Sequence, residues 1–466
     1  MNIFGSILTK VERYSSNRLL KPFVNQIQRL GTSRFLRNVA IIAGGTAMAQ
    51  IITIAFSPII TRLYGPEAFG ILGVFLAAVG MISPLSNLTY NVAIVIAPSD
   101  AESRALFKLS LLIGIVVTIL SALILGSFHE KIAAMIGFNA ASSFLFFIPI
   151  VILLSAIAEP LGQWLIRKKQ FRALSRISII EAAANGSSKA GVGLIAASAP
   201  VLLIVNVIGS FFQPLLFWIS ARHTLRDRSN QGGSIVRPEN PVSLKDVAFK
   251  YRDFPLFRAP QAWLNNISQS IPVIMLASLV GPASAGFYSI GRRVLGFPSL
   301  LVSGAVGTVF LPRISEASRQ SENLQPLILK GTVGLALAGL LPYGAVIACG
   351  PSLFSFVFGA KWITAGEYAR WLAIWLYFMF INVPSVQAIP LLSLQGHLLI
   401  YETFVIALRV STLAFGALVL KSALASIALF SISGAVVNVG LIGFVLIKSR
   451  TRTRKEIRSI VHSKNG

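Results

Sequence analysis

The stretch IGRRVLGFP places two arginines, Arg292 and Arg293, about ten residues inside a long apolar run. Charge in hydrocarbon is costly and persists where it faces a wet cavity or a partner. Adjacent guanidiniums call for an anion, and their planar fork suits phosphate. The alternative is that one of them balances a buried acid, Glu159 or Glu181, while its neighbour snorkels. Lys189 and Arg409 are two further cations inside apolar runs, and Arg370 lies nearer the end of its own.

Uncharged polar residues accompany these charges. Gln261, Asn265 and Gln269 stand at i, i+4 and i+8, one helical stripe with Asn266 beside it. Glu181, Asn185, Ser188 and Lys189 fall within roughly a 100° arc of a helix. Ser155, Glu159 and Gln163 share another face, with Pro160 next to the acid, and Gln50 and Thr53 mark an earlier run. Glu159 and Glu181 are suited to carrying a proton, binding a coupling cation such as Na+, or balancing the arginines, and the residues alone leave all three open. Trp371, Trp375, Tyr377 and Phe378 suit a wall that stacks on sugar rings, but core or interfacial packing is the expectation.

Covalent chemistry has no evident carrier. His129, His223, His397 and His462 fall in predicted loops or tails, no acidic pair stands in a predicted outer loop, and no Walker A lysine loop occurs. The single cysteine, Cys349, rules out an intrachain disulfide and is expected to be an inert core residue. We therefore expect no enzyme, no catalytic residue, no metal site and no cofactor, beyond coupling to Na+ or H+.

The elements that must position these groups are membrane helices. Of 466 residues 55% are hydrophobic and 12% charged, about half the charge of a soluble chain. Apolar blocks predict about 12 spans, near 38–62, 67–96, 105–127, 142–165, 177–197, 200–221, 257–280, 284–311, 328–349, 367–392, 400–420 and 423–447. Of the 41 Lys and Arg, about 32 lie in the tails or in loops after even-numbered spans and about 4 in loops after odd-numbered ones. That asymmetry places both termini in the cytoplasm. It also accounts for the net charge of +25 through an anionic leaflet, with no nucleic acid involved.

Five segments follow: 1–37, a basic amphipathic stretch on the membrane surface; 38–221, a first lobe; 222–256, a cytoplasmic linker; 257–447, a second lobe; and 448–466, a basic tail. The lobes share a signature. A shift of 216 lays Gly65, Pro66 and Gly70 on Gly281, Pro282 and Gly286, at the same corner between first and second span. Gln50 then meets Asn266, Thr53 meets Gln269, and Pro84 falls near Pro298, predicting a break in both second spans. Six spans per half make the repeat parallel, as in transporters whose halves rock about a central site.

The stretch YRDFPLFRAPQAWLNNISQSIPVIMLASLVGPASAGFYSIGRRVLGFPSLLVSGAVGTVFLPRISEA resembles the polysaccharide biosynthesis (Wzx-like) oligosaccharide flippases, as do RLYGPEAFGILGVF and NVAIVIAPSDAE. Those proteins belong to the superfamily of multidrug and toxin extruders, oligosaccharide flippases and the lipid II flippase. The resemblance implies an all-α membrane protein of two six-helix bundles around a central cavity. It implies transfer of undecaprenyl-pyrophosphate-linked oligosaccharide across the cytoplasmic membrane by alternating access, for O-antigen, capsule or exopolysaccharide. Polymerase and chain-length proteins of such a pathway are the implied partners. A cationic cavity would hold the pyrophosphate, with Arg292, Arg293, Lys189 and Arg409 as the matching groups. The rival readings are a multidrug extruder, a membrane-bound polymerase or ligase of lipid-linked glycans, and a non-transporting component of polysaccharide assembly. The intramembrane Arg and Lys speak against the first, and the short outer loops against the second.

Overall fold

Apolar runs too long for a small core form helices because a helix satisfies every backbone group internally. The computed structural model describes residues 34–226, 243–299, 310–320, 322–392 and 394–464, and its regular elements there are all helical. The surface stretch expected within 1–37 lies almost wholly outside the described residues, as do 227–242 of the linker.

The first half comprises α1 (Arg34–Leu63), α2 (Pro66–Ser86), α3 (Tyr90–Ile96), α4 (Asp100–Met135), α5 (Phe147–Arg167), α6 (Phe171–Ile195), α7 (Ala199–Gly209) and α8 (Phe212–Arg226). The second comprises α9 (Leu244–Lys250), α10 (Ala259–Leu279), α11 (Pro282–Leu295), α12 (Leu311–Arg319), α13 (Leu324–Phe358), α14 (Ile363–Ile381), α15 (Val383–Ala388), α16 (Gln395–Ala414) and α17 (Ala423–Lys464). Among the described residues nine helical stretches are long and apolar enough to cross a membrane. The other three expected spans are α6 and α10, interrupted by Glu181, Lys189 and Gln269, and 284–311, of which α11 with Arg292 and Arg293 covers the first part while 300–309 lie outside the described residues. Leu112, Val116, Leu123 and Phe356 are exposed, as lipid-facing side chains must be.

Pairing sets the architecture. Within the halves α1 packs on α6, α4 on α5, α13 on α14 and α14 on α17, while α2 crosses to α10 and α11 of the other half. The contact has a reciprocal centre. A Cβ on Gly70 would stand 1.7 Å from the Pro282 carbonyl oxygen, and one on Gly286 would stand 2.0 Å from that of Pro66. Each proline opens its helix, where its missing N–H costs nothing. Each glycine, one turn on, admits the other copy's backbone. The repeated corner is thus a joint between the two copies.

The same end carries further ties. Trp362 Nε1 donates to the Thr61 carbonyl at 2.9 Å, Arg62 Nη2 to that of Phe356 at 2.9 Å, and Trp362 meets Phe69 edge-on at 5.3 Å. Deeper in, Ser270 Oγ donates to the Ala77 carbonyl at 3.1 Å.

Two expectations are corrected. The second span breaks at Asn87–Thr89, with Leu88 and Thr89 in left-handed backbone (φ 44° and 58°), and Pro84 sits inside α2 before the break. Cys349 is exposed at a kink in α13 instead of buried in a core. Ahead of α10, residues 244–250 and 253–258 are helical, and this stretch is bound to the first half: Tyr251 Oη and Lys250 Nζ both donate to Glu102, at 2.9 and 2.7 Å.

Candidate cationic cavity

A polar stripe on α1 (Thr46, Gln50, Thr53 and Ser57) faces Glu181, Asn185 and Lys189 of α6 and Asn206 of α7. Together they line a cavity of about 400 Å³. Its one lining residue from the second half is Arg293. α6 presents Glu181, Asn185 and Lys189 to the same space because they are four residues apart.

Lys189 Nζ donates to Asn206 Oδ1 at 2.8 Å. Glu181 Oε2 accepts from Gln213 Nε2 at 3.2 Å. Among the described residues neither Lys189 nor Arg293 forms an ion pair, and Arg293 is exposed to the cavity. Two cationic side chains and one carboxylate thus share a small space ringed by amides and hydroxyls, and guanidinium and ammonium groups are the donors that suit an anion with several acceptor oxygens.

The cavity gathers five of the predicted groups: Lys189, Arg293, Gln50, Asn185 and Glu181. It leaves the others elsewhere. Successive residues of a helix point about 100° apart, so Arg292 cannot share the direction of Arg293. Arg292 Nη1 instead donates to the Gln269 carbonyl at 2.8 Å and Nη2 to that residue's Oε1, clamping α11 to α10. Arg409 Nη1 donates to Ser268 Oγ at 2.6 Å and its guanidinium stacks over Trp375 (5.2 Å) and Phe430 (5.8 Å). Asn266 bonds its own helix at the Ala262 carbonyl, and Asn265 is exposed.

The sequence reading did not assign Thr46, Ser57, Asn206 and Ser210 to a site. The i, i+4, i+7, i+11 spacing of Thr46, Gln50, Thr53 and Ser57 carried the signal for two of them. Trp375, buried between Arg409 and Phe430, is core. Glu159 stands apart, bonded to Ser83, Asn87 and Asn91. Among the described residues no group of three or more His, Cys, Asp or Glu is placed to hold a metal ion.

Fold and composition together define a multi-pass, all-helical membrane protein built as two six-helix bundles. Its fold matches an inward-facing multidrug resistance MATE family transporter of the MOP superfamily, with a TM-score of 0.70 at 13% identity over 89% of this chain and 99% of that one. It also matches the lipid II flippase MurJ in an inward closed conformation, with a TM-score of 0.63 at 14% identity over 91% and 93%. The chain belongs to the Polysaccharide biosynthesis protein family, whose model matches residues 59–367. It is 24% identical over 325 residues to the succinoglycan biosynthesis transport protein ExoT of Rhizobium meliloti (strain 1021), covering 69% of this chain and 61% of ExoT.

Proposed function

We propose that the chain is a transporter and not an enzyme. It moves an undecaprenyl-pyrophosphate-linked oligosaccharide across the cytoplasmic membrane by alternating access, for a surface polysaccharide such as O-antigen, capsule or exopolysaccharide. One observation carries the reading: Lys189 from the first half and Arg293 from the second face one cavity without ion-pair partners. A pyrophosphate that engages both binds best when the halves stand in this relation. Binding therefore biases the equilibrium between their positions.

In this reading the basic loops are cytoplasmic, as are both termini, and the end joined at Gly70 and Gly286 is periplasmic. The arrangement is then closed outward. The glycan and head group occupy the polar space while the lipid tail stays in the bilayer. The first lobe is 38–221, the second 257–447, and 222–256 links them. Polymerase and chain-length proteins would receive the product.

A multidrug extruder could use the same fold, but a cavity for cationic drugs needs an excess of acid, and here cations outnumber Glu181. Reconstitution with a labelled lipid-pyrophosphate oligosaccharide tests the proposal. Flipping by wild type and its loss when Lys189 and Arg293 are removed is the expected result.

A further inference from the structure

The break between α2 and α3 holds a polar cluster that the cationic cavity does not use. Glu159, on α5, is half-buried, and its Oε2 accepts from Asn87 Nδ2 at 3.0 Å and from Asn91 Nδ2 at 2.8 Å. Ser83 Oγ stands 3.4 Å from Oε1. Among the described residues no lysine or arginine pairs with this carboxylate. Asn87 and Asn91 are 1% and 7% exposed, yet the Oδ1 of each is buried without a hydrogen-bond partner. Ser86 Oγ, in the fully buried residue next door, is also unpartnered. Three orphaned acceptors or hydroxyls around one uncompensated carboxylate need an explanation, since buried polar atoms are nearly always satisfied.

We propose that Glu159, Asn87, Asn91 and Ser83 form a binding site for a dehydrated monovalent cation, Na+. An Asn amide has a broad, two-fold terminal torsion. Turning each by about 180° exchanges the two donors for two carbonyl oxygens beside the carboxylate. With the ion absent the amides donate to Glu159. With it bound they turn: the two N–H···carboxylate bonds break, the oxygens face the ion in their place, each amide N–H takes the side its oxygen held, and the carboxylate is neutralised. The donor set is all oxygen, which selects hard cations. A single carboxylate balances one positive charge, so a divalent ion would leave a buried excess. The facing side-chain atoms stand 2.8–3.4 Å apart, so oxygens in those places would close more readily on a small ion than on K+.

The site is wired to the segment that leads into the second half. Between its two asparagines, Thr89 Oγ1 donates to the Phe254 carbonyl at 3.1 Å and Tyr90 Oη to that of Ala248 at 3.0 Å. Residues 248–258 run directly into α10, the first helix of the second half. Loading the site therefore acts on the segment that enters the second half. Only this use of the ion rests on the transport reading, and its binding is measurable without substrate.

The test uses the full chain in lipid nanodiscs, with NaCl titrated against choline chloride or KCl at constant ionic strength and fixed pH. We expect Na+ to raise the thermal midpoint by several degrees and to slow amide exchange over 243–258. Glu159→Gln should lose both effects. Arg293→Ala should keep them while losing its response to lipid pyrophosphate, which separates this proposal from the one above. Asn91→Asp, adding a second carboxylate, should gain a rise with Ca2+ and guards against poor folding of Glu159→Gln. A wild type indifferent to Na+, a rise with pH alone, or a Glu159→Gln protein that still responds would each overturn the proposal. Na+ binding with unchanged exchange over 243–258 would overturn its coupling to the linker.

Discussion

Gly70 and Pro282 meet so closely that a methyl group on the glycine would stand 1.7 Å from the proline carbonyl oxygen. Gly286 and Pro66 repeat the contact at 2.0 Å in the opposite sense. A six-residue signature written twice in the chain is thus one closure, each copy completing the other. It sits at one end of the interface between the halves, so its integrity should decide how long that end stays shut.

Gly70→Ala or Gly286→Ala should open this end. Overpacking a tight contact costs about 1–3 kcal/mol, or roughly 5- to 150-fold in the balance between closed and open states. Spin labels on the α1–α2 and α10–α11 corners, placed after replacing the exposed Cys349, should report a longer distance in either variant. An unchanged distance distribution in both would mean that the contact does not hold the closure.

Arg292 and Arg293 should separate cleanly. Arg293→Ala removes a cavity charge and should weaken binding of a lipid-pyrophosphate by about 1.5–3 kcal/mol, roughly 10- to 150-fold, with little change in thermal midpoint. Arg292→Ala leaves Gln269 without its clamp and should lower stability by about 1–3 kcal/mol while binding changes far less. Equal loss of binding in the two would place both guanidiniums on the substrate.

Arg409→Met should behave as a core substitution. It removes the Ser268 bond and two ring contacts from the second bundle. Stability should fall by about 2–4 kcal/mol, seen as a lower unfolding midpoint in detergent. Head-group affinity in the protein that remains folded should be unchanged.

Docking of the linker has a spectroscopic signature. Burial and the neighbouring Glu102 carboxylate push the Tyr251 phenol up to about 12. A raised phenol pKa stabilises the docked state at pH below the ordinary value of 10.0, and the contribution fades as pH climbs toward 12. Ultraviolet titration of Tyr251→Phe should lack one phenol that ionises near pH 12 in wild type. Glu102→Gln should bring that phenol down.

Much of this was legible in the chain. Apolar runs announced the helices because bilayer thickness sets their length, and the corner repeat announced two like halves. Hydropathy is weakest for α6, α10 and α11 for a physical reason: two of them line the cavity and the third holds Arg292. Lys189, Glu181 and Asn185 were readable together since helical spacing puts them on one face. Which of Arg292 and Arg293 enters the cavity was not, because neighbouring residues diverge and only the packing of α11 on α2 and α14 selects one. Nor did the sequence show that Glu159 would be taken up by amides about 70 residues away in place of an arginine. That partnership depends on the break at Leu88 and Thr89, whose left-handed backbone no glycine or proline announces. Pro84 drew the expected break too early; α2 tolerates the proline and continues to Ser86.

The most direct test of the transport account is a flipping measurement in proteoliposomes loaded with undecaprenyl-pyrophosphate-linked oligosaccharide. The outward appearance of glycan is followed with an impermeant glycosidase. Wild type should move the lipid well above protein-free liposomes, and the Lys189→Ala, Arg293→Ala double variant should fall to that background while keeping its folded midpoint. Wild type at background with every glycan tried, or a double variant as fast as wild type, would contradict the account.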